Sequence, residues 1–233
     1  MYHKNKKGRP MGKGILGLLF MLMMVSTFVV GIVFTIAKSL FNLGLKPNSR
    51  AWRELLDRLR ARLQKSPAAQ LVPWDREMLP LLSLNRTGMR KPGWFDNISE
   101  GVFTSIYQEP VLAYAGQLNG KNSLLLARTS DREFLFHKKD KEIDIWLNEQ
   151  PFAVLADGAL LAAGKGSRLL ARLEADPADS QFPLLLGNAT AATLANPAKT
   201  DSPNPRAFSL LRNLSPEEEN AALALAILQL TAA

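Results

Sequence analysis

A chain of 233 residues with 47% apolar side chains can build one or two domains with a proper core, and its lack of cysteine excludes disulfides, thiolate metal sites and cysteine nucleophiles. The net charge of +8 is unevenly spread: residues 1–65 hold 13 of the 29 Lys and Arg but only Glu54 and Asp57 among the acids, so they carry +11 while residues 66–233 carry −3. The basicity belongs to a segment and not to the folded part, which argues against a nucleic-acid-binding domain with a positive face of its own.

Taken in order, Lys4, Lys6, Lys7, Arg9 and Lys13 form a basic tail over residues 1–13, ahead of the uncharged run Gly14–Ala37. A run of about 24 residues is long enough to span a bilayer as a helix and exceeds the apolar core of a cleavable signal peptide. No small-x-small cleavage site follows, so the run reads as an uncleaved, single-pass signal-anchor. Basic residues flank it on both sides, so the positive-inside rule does not assign an orientation.

From Ser49, the residues Trp52, Leu55, Leu56, Leu59 and Leu63 recur at helical spacing, with Arg53, Arg58, Arg60 and Arg62 mostly elsewhere on the wheel. This basic amphipathic helix has two possible seats. Its apolar side could lie in the lipid headgroup layer, with the arginines on anionic headgroups, or it could pack on its own domain. Pro47, Pro67, Pro73, Pro80 and Pro92 then interrupt the chain, and residues 66–94 read as a linker with one short helix near Asp75–Leu82. The whole stretch 38–94 is thus amphipathic helix plus linker.

From residue 95 the texture changes to short strand-like runs separated by turn signals. Eleven strands are predicted: Val102–Tyr107, Val111–Gly116, Ser123–Arg128, Arg132–His137, Glu142–Leu147, Pro151–Ala156, Ala159–Ala163, Arg168–Glu174, Gln181–Leu186, Ala189–Ala195 and Arg206–Leu211. Asn119-Gly120, Asn148-Glu149, Asp157-Gly158, Gly164-Lys165-Gly166 and Gly187-Asn188 are the short polar loops of successive hairpins. Ile143, Ile145 and Leu147 alternate with Glu142, Asp144 and Trp146. Leu169, Ala171 and Leu173 likewise alternate with Arg168, Leu170 and Arg172.

Ser215, Pro216 and Glu218 then mark a helix start with a capping box, and Ala221–Leu230 is apolar on nearly every face. Such a helix has no solvent side. Its apolar part is about 20 Å long, too short for a hydrocarbon core of about 30 Å, so it must be enclosed by protein. The expected fold is mainly β: an antiparallel, closed, barrel-like domain over residues 95–233 around the hydrophobic helix 215–233. One transmembrane helix over 14–37 and the amphipathic helix precede it. Alanines at Ala127, Ala153, Ala171 and Ala192 are expected to face the enclosed helix.

Chemical motifs are few. His3 and His137 are the only imidazoles; His3 sits in the basic tail, and His137, ending a strand beside Lys138 and Lys139, reads as a solvated turn histidine. Gly164-Lys165-Gly166-Ser167 lacks the Ser/Thr of a phosphate loop directly after its lysine. Asp140, Glu142 and Asp144 have calcium-loop spacing, but Ile145 stands where the glycine belongs. No catalytic set, metal site or cofactor signature emerges.

The order of short strands from Gly101-Val102-Phe103 to Arg128, then Glu142–Leu147, Phe152–Gly158, Arg168–Glu174 and Phe208-Ser209-Leu210-Leu211 leading into Ser215–Leu230, resembles the tubby C-terminal-like superfamily, which includes phospholipid scramblase-like and LURP-one-related domains. The resemblance implies a cytoplasmic domain on the inner or plasma membrane that engages membrane lipids or serves as an adaptor. The chain departs from scramblases in lacking their cysteine clusters and in carrying its anchor at the N-terminus.

These readings combine into a membrane-anchored, non-catalytic module that binds anionic lipid headgroups or a protein partner, and not nucleic acid. Arg53, Arg58, Arg60 and Arg62 are the first candidate headgroup set; Arg168 and Arg172, beside Lys138, Lys139 and Lys141, are the second. One alternative is lipid scrambling or transfer, which requires an oligomer, because Gly14–Ala37 offers only Ser26, Thr27 and Thr35 as polar side chains. Another is a hydrolase with an unrecognised site.

Overall fold

The computed structural model describes residues 45–65, 70–75, 77–91, 97–118, 122–200 and 202–232. The basic tail and the predicted span Gly14–Ala37 lie outside them, and so does the Asn119-Gly120 turn. Among the described residues no helix is long and apolar enough to cross a membrane. The compact unit runs from Leu45 to Ala233.

Among the described residues twelve strands follow one another as an antiparallel meander in which each pairs with the next. They are β1 (Leu82–Arg90), β2 (Ser99–Ser105), β3 (Pro110–Gln117), β4 (Asn122–Arg128), β5 (Glu133–Lys139), β6 (Glu142–Leu147), β7 (Gln150–Ala156), β8 (Ala159–Ala162), β9 (Leu169–Leu173), β10 (Gln181–Leu186), β11 (Ala189–Ala195) and β12 (Phe208–Leu210). The sheet curls into a nearly closed barrel. Its seam is a bridge between Ser83 and Arg206, with Ala207 N donating to Leu82 O at 2.7 Å and Leu84 N to Pro205 O at 3.0 Å. Asn204 ties the seam further, accepting from Ser83 Oγ at 2.8 Å and from Asn85 Nδ2 at 3.1 Å.

All eleven predicted strands are present, and Glu142–Leu147, Gln181–Leu186 and Ala189–Ala195 have the predicted limits. Local chemistry explains this: Asn148-Glu149 and Asp157-Gly158 adopt positive φ at both positions, the turn that matches strand twist. The twelfth strand, β1, corrects the linker reading of residues 66–94. It is largely polar beyond Leu84, its burial is confined to its first half, and its pairing with β2 carries two register shifts, so it shows no clean alternation. A second correction concerns β9. Leu170 and Ala171 are consecutive yet both buried, because the β8–β9 register shifts between Leu160 and Leu161 and breaks the predicted alternation.

Helix α1 (Arg50–Lys65) lies across the outside of the barrel, the one-turn helix α2 (Met78–Leu81) leads into β1, and α3 (Pro216–Ala232) fills the interior. Seven consecutive residues of α3, Ala221–Ile227, are buried, which leaves no side of those two turns in solvent. Ala127, Ala153, Ala171 and Ala192 are buried in the same cluster as α3, as expected for strands that approach an enclosed helix. The capping box is formed: Ser215 N donates to Glu218 Oε2 at 2.9 Å, and Glu218 N donates to Ser215 Oγ at 3.4 Å.

Arg212 also donates to Glu218, and these bonds hold the Glu218 carboxyl down at about 2, from an ordinary 4.5. A depressed carboxylate pKa stabilises the fold above the ordinary value, and that contribution is lost as pH falls from about 4.5 toward 2. Thermal melts of the parent and of Glu218→Gln should therefore differ most at neutral pH and converge through this window. A constant offset down to pH 2 would assign the carboxylate no part in acid unfolding.

Candidate functional site

The site grows from α1. Ser49 accepts from Trp52 N at 3.2 Å as an N-cap, and Arg50 donates to Glu54 one turn on at 2.7 Å. Trp52, Leu55, Leu59 and Leu63 are buried, but against the barrel: they form a cluster with Ile98, just before β2, and with Val102, Ala113, Ala115, Leu124 and Leu126 on the outer faces of β2 to β4. Of the two seats open to this helix, the structure shows the domain. At about 1.5–3 kcal/mol per large side chain, the four residues supply at most about 6–12 kcal/mol to docking.

The candidate arginines are divided by this seat. Arg53 and Arg58 are exposed. Arg60 donates to Glu133 at 2.7 Å and to Glu149 at 2.8 Å, and Arg62 lies 3.7 Å from Glu100, so both tie α1 to the barrel. Hydrogen bonding to Glu133 pushes the Arg60 guanidinium above its ordinary range. The second set does not assemble. Arg172 is exposed on β9 and Arg168 pairs with Glu217 of α3, while Lys138 and Lys139 belong to β5, with three strands intervening, and not to a turn beside β9.

Between α1 and the β5–β6 hairpin lies a groove of about 330 Å³. Trp52, Leu56, Leu135 and Trp146 line it, together with Arg60 and its two carboxylate partners. The rings of Trp52 and Trp146 meet edge to face at 5.9 Å.

Close to these two rings is His137, and here the sequence reading is corrected. The imidazole is 1% exposed, inside β5 rather than in a turn, with Trp52 edge-on at 4.7 Å and Trp146 at 6.4 Å. Among the described residues neither ring nitrogen has a hydrogen-bond partner. An unpaired buried polar group typically costs about 1–3 kcal/mol, a penalty that charging the ring would raise. Burial pushes the His137 pKa below its ordinary value, nearby Lys139 adds to this, and Asp144 on the facing strand opposes it. The signal was present in the sequence only as a histidine in phase with Leu135, and so on the α1-facing side of β5.

At the N-terminal end of α3, Glu219 is buried and accepts from Trp74 Nε1 at 2.8 Å and from Arg132 at 2.8 Å. Arg132 also donates to Asn220 at 2.9 Å and stacks 5.6 Å from the Trp74 ring. Sequence reading missed this knot, whose members lie 87 to 145 positions apart along the chain in their pairwise bonds. It binds the segment before α2 and the β4–β5 turn to the central helix.

The motif fragments are turns. Gly164-Lys165-Gly166 joins two antiparallel strands with both glycines at positive φ and no helix after them. Asp144 is paired with Lys139, and among the described residues no three metal-ligating side chains cluster. No family model, no curated protein and no solved structure matches this chain.

Proposed function

We propose that the chain is a single-pass, membrane-anchored, non-catalytic binding module of the tubby-like kind, and that it works against the anionic lipid surface to which it is tied. The observation that carries this reading is the posture of α1. Seated on the barrel by its apolar face, it holds Arg53 and Arg58 in solvent. It begins about a dozen residues after the uncharged run, a tether that can extend about 40–45 Å at most. An outer ridge that presents Arg50, Arg53 and Arg58 beside Glu54 and Asp57, about a dozen residues from the uncharged run, supports contact with lipid phosphates, and a meander of strands around a central helix supports the likeness to lipid-engaging tubby domains.

Residues 45–233 should cosediment with anionic vesicles at pH 7.4 and low salt, release at high salt, and ignore neutral vesicles. Each surface arginine is worth about 1 kcal/mol at an anionic membrane, so Arg53→Gln with Arg58→Gln should weaken binding by roughly 30-fold. Equal binding to neutral vesicles, or no effect of the double substitution, would overturn the lipid reading. A protein partner is the second reading, favoured by the groove, whose apolar lining beside a charged rim has the anatomy of an interface.

A further inference from the structure

The strongest anomaly in the molecule is the imidazole of His137, buried under α1 with both nitrogens unpartnered among the described residues. We propose that His137 is a pH-sensitive latch: its protonation releases α1 from the barrel, and the freed face of Trp52, Leu55, Leu59 and Leu63 seats in an anionic lipid surface. This rests on the membrane-tethered reading above and adds the condition under which the tethered helix changes place.

The surroundings of His137 favour the neutral ring. From α1 it meets the edge of Trp52, from β4 its cross-strand neighbour is Leu124, and from β6 the neighbours are Asp144 and Trp146. Asp144 is the acid facing it, and this carboxylate is already paired with Lys139, the cation on the same strand. The charged residues of the first α1 turns, Arg50, Arg53, Glu54 and Asp57, are exposed and leave the ring without a partner from the helix.

A proton on His137 therefore favours the state in which α1 has moved away and water reaches the ring. As the docked pKa is the lower of the two, docking is strongest above the ordinary histidine value of about 6.5. The docked-to-released ratio then falls by up to about tenfold per pH unit below it. That shift alone does not put four large apolar side chains into water, so release needs a second apolar seat. The headgroup boundary supplies one, and the sequence suits it: a Trp on the apolar side and five arginines against two acids, Glu54 and Asp57, along the helix. In moving there, Arg60 and Arg62 exchange the carboxylates of Glu133, Glu149 and Glu100 for lipid phosphates, and join Arg53 and Arg58 on one surface.

The test uses the full chain in nanodiscs containing brominated anionic lipid. Between pH 7.5 and 5.5, tryptophan emission should become quenched, and amide exchange over residues 50–65, corrected for its intrinsic pH dependence, should accelerate by several-fold, up to about tenfold, while β3 stays protected. His137→Phe should abolish both responses. Loss of either response in the parent chain, or survival of both in His137→Phe, overturns the proposal. Should that variant fail to fold, a His3→Gln chain leaves His137 as the sole imidazole for an NMR titration. Its midpoint must coincide with that of α1 exchange, and midpoints a pH unit apart overturn the latch. An acid response without neutral-pH binding of residues 45–233 would instead sink the proposed resting function alone.

Discussion

Replacing Leu225 with lysine is expected to abolish cooperative folding of residues 45–233. Leu225 is 4% exposed in the middle of the seven consecutive buried residues of α3, so the helix has no face to which it could turn the cation. An uncompensated buried charge costs several kcal/mol even after relaxation, against a total stability of about 5–15 kcal/mol. Leu225→Met keeps the volume and should cost less than about 1.5 kcal/mol, which separates the effect of charge from that of any change at this position. Far-ultraviolet circular dichroism through a thermal ramp decides the matter. A lysine variant that melts cooperatively within a few degrees of the parent would show that the barrel does not enclose this helix.

Glu219→Ala should produce the next largest loss, because it strips two partners at once. Arg132, 19% exposed at its side chain, keeps Asp131 and Asn220 but loses its buried carboxylate, and the Trp74 indole N–H loses its acceptor. Breaking a buried ion pair by removing one partner costs about 3–5 kcal/mol, which for a domain of this size is a fall in Tm of roughly 6–20 °C. Arg132→Ala alone should cost less than this, and the double variant should be much less destabilised than the sum of the two. Additive losses would mean that Glu219 stabilises α3 independently of Arg132.

How much of this was legible follows from the range of each interaction. The hairpins declared themselves because their turn residues and alternation act within a few positions: Ile145 enters the core and Trp146, one step on, points to the α1 side. The start of α3 was legible for the same reason, since Ser215 and Glu218 cap each other three residues apart. β1 was not, because its polar half has no apolar period and its seam partners, Pro203 to Ala207, lie some 120 positions away.

The sequence by itself determined a meander of short strands, an apolar C-terminal helix with no solvent side, and a basic amphipathic helix after an uncharged run. Only the tertiary structure decided where that amphipathic helix goes. A stripe of Trp52, Leu55, Leu59 and Leu63 is satisfied equally by a bilayer boundary and by a sheet, since burial of apolar surface has no direction of its own. What tipped it is the outer face of β3 and β4. β3 is buried at six consecutive positions from Val111 to Gly116 and β4 at five from Ser123 to Ala127, because one side of each strand meets the core and the other meets α1. The same packing decided His137, which a local reading puts in solvent and which the descent of a helix onto its strand buries.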